Sequence, residues 1–150
     1  MKACLITAVL SVLSFCVNAD AQPNPSRVEK RVSVLIEKML KNSTEQRAFA
    51  DLEALGCPAV PAIIKRMDDR RELPDHHISL RNKSPQAFES MRHYGPEKVV
   101  DAVAAILDQI TGQDFGATYN GGSEPQRSAA VQGWHDFLLK TPPDKLCSAG

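Results

Sequence analysis

Ser43-Thr44-Glu45-Gln46-Arg47-Ala48-Phe49-Ala50-Asp51-Leu52-Glu53-Ala54-Leu55-Gly56-Cys57-Pro58-Ala59-Val60-Pro61-Ala62-Ile63-Ile64 is the stretch on which the fold reading turns. Phe49, Leu52 and Leu55 recur at helical spacing. Gly56 then supplies the residue that takes a left-handed stop at no steric cost. Only Cys57 separates that stop from Pro58, and a second apolar set follows at Val60, Ile63, Ile64 and Met67. Pro61 falls in a first helical turn, where a missing N–H is harmless. Ser43 with Gln46 three residues on reads as a capping box. Two short helices joined by so tight a turn are expected to pack antiparallel.

Working outward, Val28, Val32, Leu35, Ile36, Met39 and Leu40 form one amphipathic stripe, with Asn24 and Pro25 as its start. On the other side, residues 70–84 carry no helical period, and only Ile78 and Leu80 alternate as in a short extended piece. A brief helix is expected from Ser84-Pro85 to just before Gly95, burying Phe88 and Met91. Pro96 opens the cleanest helix, striped by Val99, Val100, Val103, Ile106, Leu107 and Ile110 and closed by Gly112. Gln113 to Gly122 reads as loop. Ser123 and Gln126 form a second capping box, and the last helix turns Val131, Trp134, Phe137 and Leu138 inward before Thr141-Pro142-Pro143 stops it. With no strand pair in the pattern, the expected class is all-α, a compact helical bundle.

The run Ala48 to Ile64, with Leu55-Gly56 before the turn, Ala59-Val60-Pro61-Ala62 after it and Met67-Asp68-Asp69 at its end, resembles a HEAT-type repeat. The resemblance covers residues 43–69. It is looser over 96–138, where Ile110 to Gly116 and the helix carrying Trp134 are similar to the end of some exported bacterial HEAT-repeat proteins. It implies a HEAT-like antiparallel helix pair and a protein-binding scaffold. The proline-bearing interruption after residue 69 argues for a compact bundle over a regular solenoid.

The N-terminus reads as a signal peptide over residues 1–21: a positive start at Lys2, an apolar run from Ala3 to Val17, and small residues at Ala19 and Ala21. The apolar run is shorter than the ~20 residues of a spanning helix, so no stable membrane anchor is expected. Removal leaves roughly 130 residues, enough for one domain with its own core. The reading is a single helical domain over 22–140 followed by a tail at 141–150. Lys+Arg and Asp+Glu both number 18, so neither nucleic acid nor a cation-binding acidic tract is implied. Cys57 and Cys147 survive cleavage of the leader, and export to the periplasm or outside the cell invites them to pair.

Chemistry-bearing patterns are sparse. His76-His77, with Asp75 before them and His93, Glu89 and Glu97 later, are weak metal candidates, since their spacing matches no ligand motif. Glu89 and His93 would share a face of the brief helix. Asp114-Phe115-Gly116 lacks the companion motifs of a kinase, and Cys57 at a helix start has an oxidation partner that competes with any nucleophilic role. No cofactor and no catalytic residue are assigned. The loop Gln113 to Glu124 is the better candidate: Phe115, Tyr119 and Asn120 are read as partner-binding, the aromatics being alternatively core filler. The expected function is a non-enzymatic, exported protein-binding module. Rival readings are a periplasmic immunity or inhibitor protein, a metal-dependent hydrolase using residues 73–97, and a structural envelope protein.

Overall fold

The computed structural model describes residues 24–83, 88–116 and 118–147. The signal segment expected over residues 1–21, and the expected helix start at Ser84-Pro85, lie outside the described residues. Helix α1 spans Pro25–Met39, and Asn24 caps it by accepting the Ser26 N–H at 3.1 Å. Its stripe of Val32, Leu35, Ile36 and Met39 is buried. Helix α2, Glu45–Glu53, follows after a turn, and α3, Val60–Ile64, is reached through a single 3₁₀ turn at Cys57–Ala59. Gly56 has φ 63°, as the tight stop requires. Both α2 and α3 pack against α1 and against the central helix α4, Val99–Thr111.

Helix α4 is buried all round from Val99 to Leu107, beyond its apolar stripe, because α2, α3 and α5 cover its different sides. Its stop is Gly112 at φ 68°. Helix α5, Glu124–Lys140, starts with the expected Ser123–Gln126 pairing, the Ser123 N–H donating to Gln126 Oε1 at 2.8 Å. It buries Ala130, Val131 and Trp134 together with one charged residue, Arg127. Arg127 bonds Asp101 through Nε and Nη2, both at 2.8 Å, while Asp101 Oδ2 accepts the N–H groups of Glu97 and Lys98 at the head of α4. A charge pair this deep persists only when its remaining hydrogen bonds are satisfied, and here they are.

The all-α expectation is corrected by a two-stranded antiparallel sheet. Strand β1, Ile78–Arg81, pairs with β2, Met91–Tyr94, in the register Ile78 to Tyr94 and Arg81 to Met91. A brief helix was expected where β2 lies, because Phe88 and Met91 stand three apart. In the structure neither is buried: Phe88 is 102% exposed and Met91 38%. Strands of four residues give too few alternations to register as a period. Only one side of this pair is apolar, with Ile78, Leu80 and Tyr94 buried in the core. A lone hairpin is marginal in water; this one is held by its buried side and by α2, which packs on β1.

The Ser43 capping box does not form. Thr44 is the residue before α2, its hydroxyl donating to the Lys38 carbonyl at 2.7 Å, and Gln46 reaches instead to β1. Residues 141–147 run back onto the body through a 3₁₀ turn at Pro143–Lys145, and Leu146 is buried in the core. Cys147 Sγ and Cys57 Sγ are at disulfide distance, 2.12 Å apart with Cα atoms 5.8 Å apart. Among the described residues no helix is long and apolar enough to cross a membrane.

Candidate functional site

Among the described residues, polar, aromatic and charged groups converge on a cleft beside strand β2. Strand β2 sends Arg92 and Tyr94 toward the C-terminal half of α4. There Arg92 Nη1 meets Asp108 Oδ2 at 3.2 Å, and Gln109 Nε2 donates to the Tyr94 hydroxyl at 3.0 Å. The loop after α4 closes the third side. Tyr119 stands edge-on to Tyr94 with ring centroids 5.5 Å apart, and Asn120 Oδ1 accepts the Gly95 N–H at 2.8 Å. Between these walls lies an open cleft of about 430 Å³, lined also by Asn82, Glu89, Met91 and His93.

Its electrostatics follow from partial burial among like charges. Burial pushes the Asp108 carboxyl above its ordinary range, with Asp114 adding to the effect and Arg92 opposing it. Burial also raises the Tyr119 hydroxyl, helped by Asp114 and Asp108. Tyr94 moves up for the same first reason, against the pull of Arg92. The Arg92 guanidinium moves up in turn, with Tyr94 first and Asp108 after it favouring its charged form. Both tyrosines are therefore neutral hydroxyls across the physiological range, able to donate and accept.

The residues expected to bind a partner are placed differently from one another. Phe115 turns inward: its ring meets Trp134 at 4.8 Å and Phe137 at 5.7 Å. It also lies so tightly on α5 that a Cβ at Gly133 would stand 2.6 Å from Phe115 Cβ. Tyr119 is half-buried and lines the cleft, while Asn120 spends its carbonyl on Gly95. The structure thus brings Tyr119 and Asn120 to β2 and assigns Phe115 to packing.

The histidines do not converge. His76 and His77 are exposed in the loop before β1, where the His77 N–H donates to Asp75 Oδ1 at 3.0 Å. His93 lies on β2 with Nδ1 2.8 Å from the Ser79 hydroxyl and is the one histidine of the three that also lines the cleft. Glu89 precedes that strand, so the shared helix face expected for Glu89 and His93 does not exist. Glu97 is bonded to Arg127 at 2.7 Å. Among the described residues no three His, Cys, Asp or Glu side chains are grouped to hold a metal ion. Cys57 is paired with Cys147 rather than free at a helix start.

Sequence reasoning missed Phe88, Met91, Arg92 and Asp108. The signal that could have found them is the alternation Ile78/Leu80 followed, after a turn-rich stretch, by Arg92/Tyr94 with the same spacing of two. Compared with protein-family models, with curated proteins and with solved structures, the chain has no match.

Proposed function

We propose that this chain is an exported, non-enzymatic protein-binding module whose contact surface is the hairpin end carrying Phe88 and Met91, together with the Tyr119 side of the cleft. The observation that carries the reading is the exposure of Phe88, an aromatic side chain standing 102% exposed on a turn next to Met91 and an open cleft. A fully exposed phenylalanine just ahead of a strand costs solvation and adds nothing to the core, while rigid exposed aromatics are the anchors of protein interfaces. Export is supported by the leader-like residues 1–21 and by a cysteine pair at disulfide distance, a bond that persists in oxidising compartments. The partner is another protein, held without a cofactor.

The test is capture from a native envelope or secreted extract, using the oxidised protein as bait under non-reducing conditions. One protein recovered in near-stoichiometric amount, and lost with the double change Phe88→Ser and Met91→Ser at unchanged circular dichroism, is the expected result. An equal yield with the doubly changed bait, or a blank with both, overturns the reading.

A further inference from the structure

The fold treats the two edges of its small sheet unequally. On β1 the Ser79 N–H donates to Gln46 Oε1 at 2.9 Å, and Gln46 Nε2 donates to the Ser79 carbonyl at 2.8 Å. A side-chain amide thus occupies the place of a neighbouring strand. In an antiparallel pair, residues opposite each other either exchange both hydrogen bonds or turn both sets outward. Ser79 faces outward, so its partner His93 does too, and Met91 on the same strand shares that direction. The Asn82 N–H, which donates to the Ser90 carbonyl at 2.9 Å, keeps the same alternation one step beyond the strands. At Gly95, the next outward position of β2, Asn120 caps the N–H. The outward backbone groups of Met91 and His93 have no hydrogen-bond partner among the described residues.

The cleft lies beside this open edge. Asp108 is engaged by Arg92, which leaves Glu89 as the uncompensated carboxylate of the lining, while Asp114 lies near the Tyr119 hydroxyl just outside it. A strand laid along β2 would place every second side chain on the side of Arg92 and Tyr94, over the cleft. With the Arg92 charge taken up by Asp108, a cation at that position meets the Glu89 carboxylate and the tyrosine rings of the lining, with Asp114 adding negative charge from beside Tyr119, whereas a carboxylate there meets like charge.

Resting on the reading of the chain as a protein-binding module, we infer that the outer edge of β2 receives an extended peptide segment of the partner as a third strand, with a lysine or arginine directed into the cleft. Main-chain hydrogen bonds at Met91 and His93 supply the pairing, and the acidic, tyrosine-walled cleft selects the basic side chain. Phe88 and Met91 cover the apolar flank of the added strand.

The experiment selects binders from a displayed library of random short peptides on the immobilised, oxidised protein and resynthesises the winners. Expected are extended sequences with Lys or Arg at one fixed position among β-branched residues. When bound, they slow amide hydrogen exchange at Met91 and His93 by about tenfold or more. N-methylation of alternate peptide amides abolishes binding. The combined change Glu89→Gln and Asp114→Asn weakens the basic peptide roughly three- to tenfold and flattens its salt dependence. Winners that lack a basic residue, or that bind without protecting those two amides, overturn the proposal, as does an empty selection. Protection that appears with protein concentration alone, without peptide, identifies a second copy as the occupant and also overturns it. A native partner that is captured through Phe88 yet leaves both amides unprotected defeats strand addition while the module reading stands. Loss of capture altogether defeats the module reading itself.

Discussion

The side-chain amide of Gln46 bonds the backbone of Ser79 twice, through Oε1 at 2.9 Å and Nε2 at 2.8 Å, and so closes one edge of a two-stranded sheet from a neighbouring helix. This relationship explains why Gln46 abandons the capping role its spacing suggests. The outward N–H and C=O of Ser79 offer the Gln46 amide both a donor and an acceptor, where the head of α2 offers N–H donors alone. It also tells the two edges of the hairpin apart. Gln46→Ala is expected to cost about 1–2 kcal/mol in urea unfolding, two modest hydrogen bonds' worth. Amide exchange at Ser79 should quicken with it. Unchanged exchange at Ser79 would show that the edge is satisfied some other way.

Arg127 is buried with its guanidinium on Asp101, which is itself fully shielded from solvent. Arg127→Met strands that carboxylate without its counter-charge and is expected to destabilise the protein by about 3–5 kcal/mol. Adding Asp101→Asn in the same chain should recover part of the loss, because the uncompensated charge is gone. The comparison is a urea titration of the two variants, and equal losses would mean that the pair matters for packing alone.

How much of this was legible beforehand depends on the length of each signal. The stripes of α1, α4 and α5 run over three or more turns, and their positions were read correctly, as were the stop at Gly112 and the Ser123 cap. Gly56 likewise announced its turn, because a left-handed backbone position restricts the residue choice by itself. The hairpin was illegible for the opposite reason. Its strands are four residues each, and β2 reads Met91-Arg92-His93-Tyr94, in which only Tyr94 is buried. The cleft inherits that obscurity, since Arg92 and Asp108 meet only once the strand is recognised. Tyr119 and Asn120 drew notice as loop residues near glycines. Their actual neighbours, Tyr94 and Gly95, are some 25 residues earlier in the chain, beyond the reach of local pattern.

The Cys57–Cys147 pair closes a loop with a sequence separation of 90 and anchors the segment that buries Leu146. By chain-entropy reasoning a cross-link over that length is worth roughly 4–5 kcal/mol. The variant Cys57→Ser with Cys147→Ser should lose most of that in urea unfolding and show faster exchange across residues 141–147. If reduction leaves the midpoint unmoved, the bond is not formed in the native protein.

Glu45 is 2% exposed and one of its oxygens has no partner, while the other accepts the Asp75 N–H at 3.0 Å. Burial raises its carboxyl above the ordinary value of 4.5, despite that hydrogen bond. The folded state therefore holds a proton that the unfolded state has released. Stability contributed by this group is full below the ordinary value and falls as pH climbs through the window up to the raised one. Glu45→Gln keeps an acceptor for Asp75 and removes the titration. Relative to the native chain, the variant should gain stability progressively as pH rises from about 4 toward 7, with most of the change inside the carboxylate window. A constant difference across that range would contradict the assignment.

Docking of another protein at the exposed hairpin end makes Phe88 the contact residue to probe. The most direct measurement is photo-crosslinking from a benzoyl-phenylalanine placed at Phe88, with a matched placement at Leu139 as control. Leu139 is comparably exposed, at 83%, but lies near the end of α5. In cells that produce the chain, one discrete crosslinked protein is expected from position 88 and none of it from position 139. Crosslinks of equal yield and identity from both positions, or none from position 88, would contradict it.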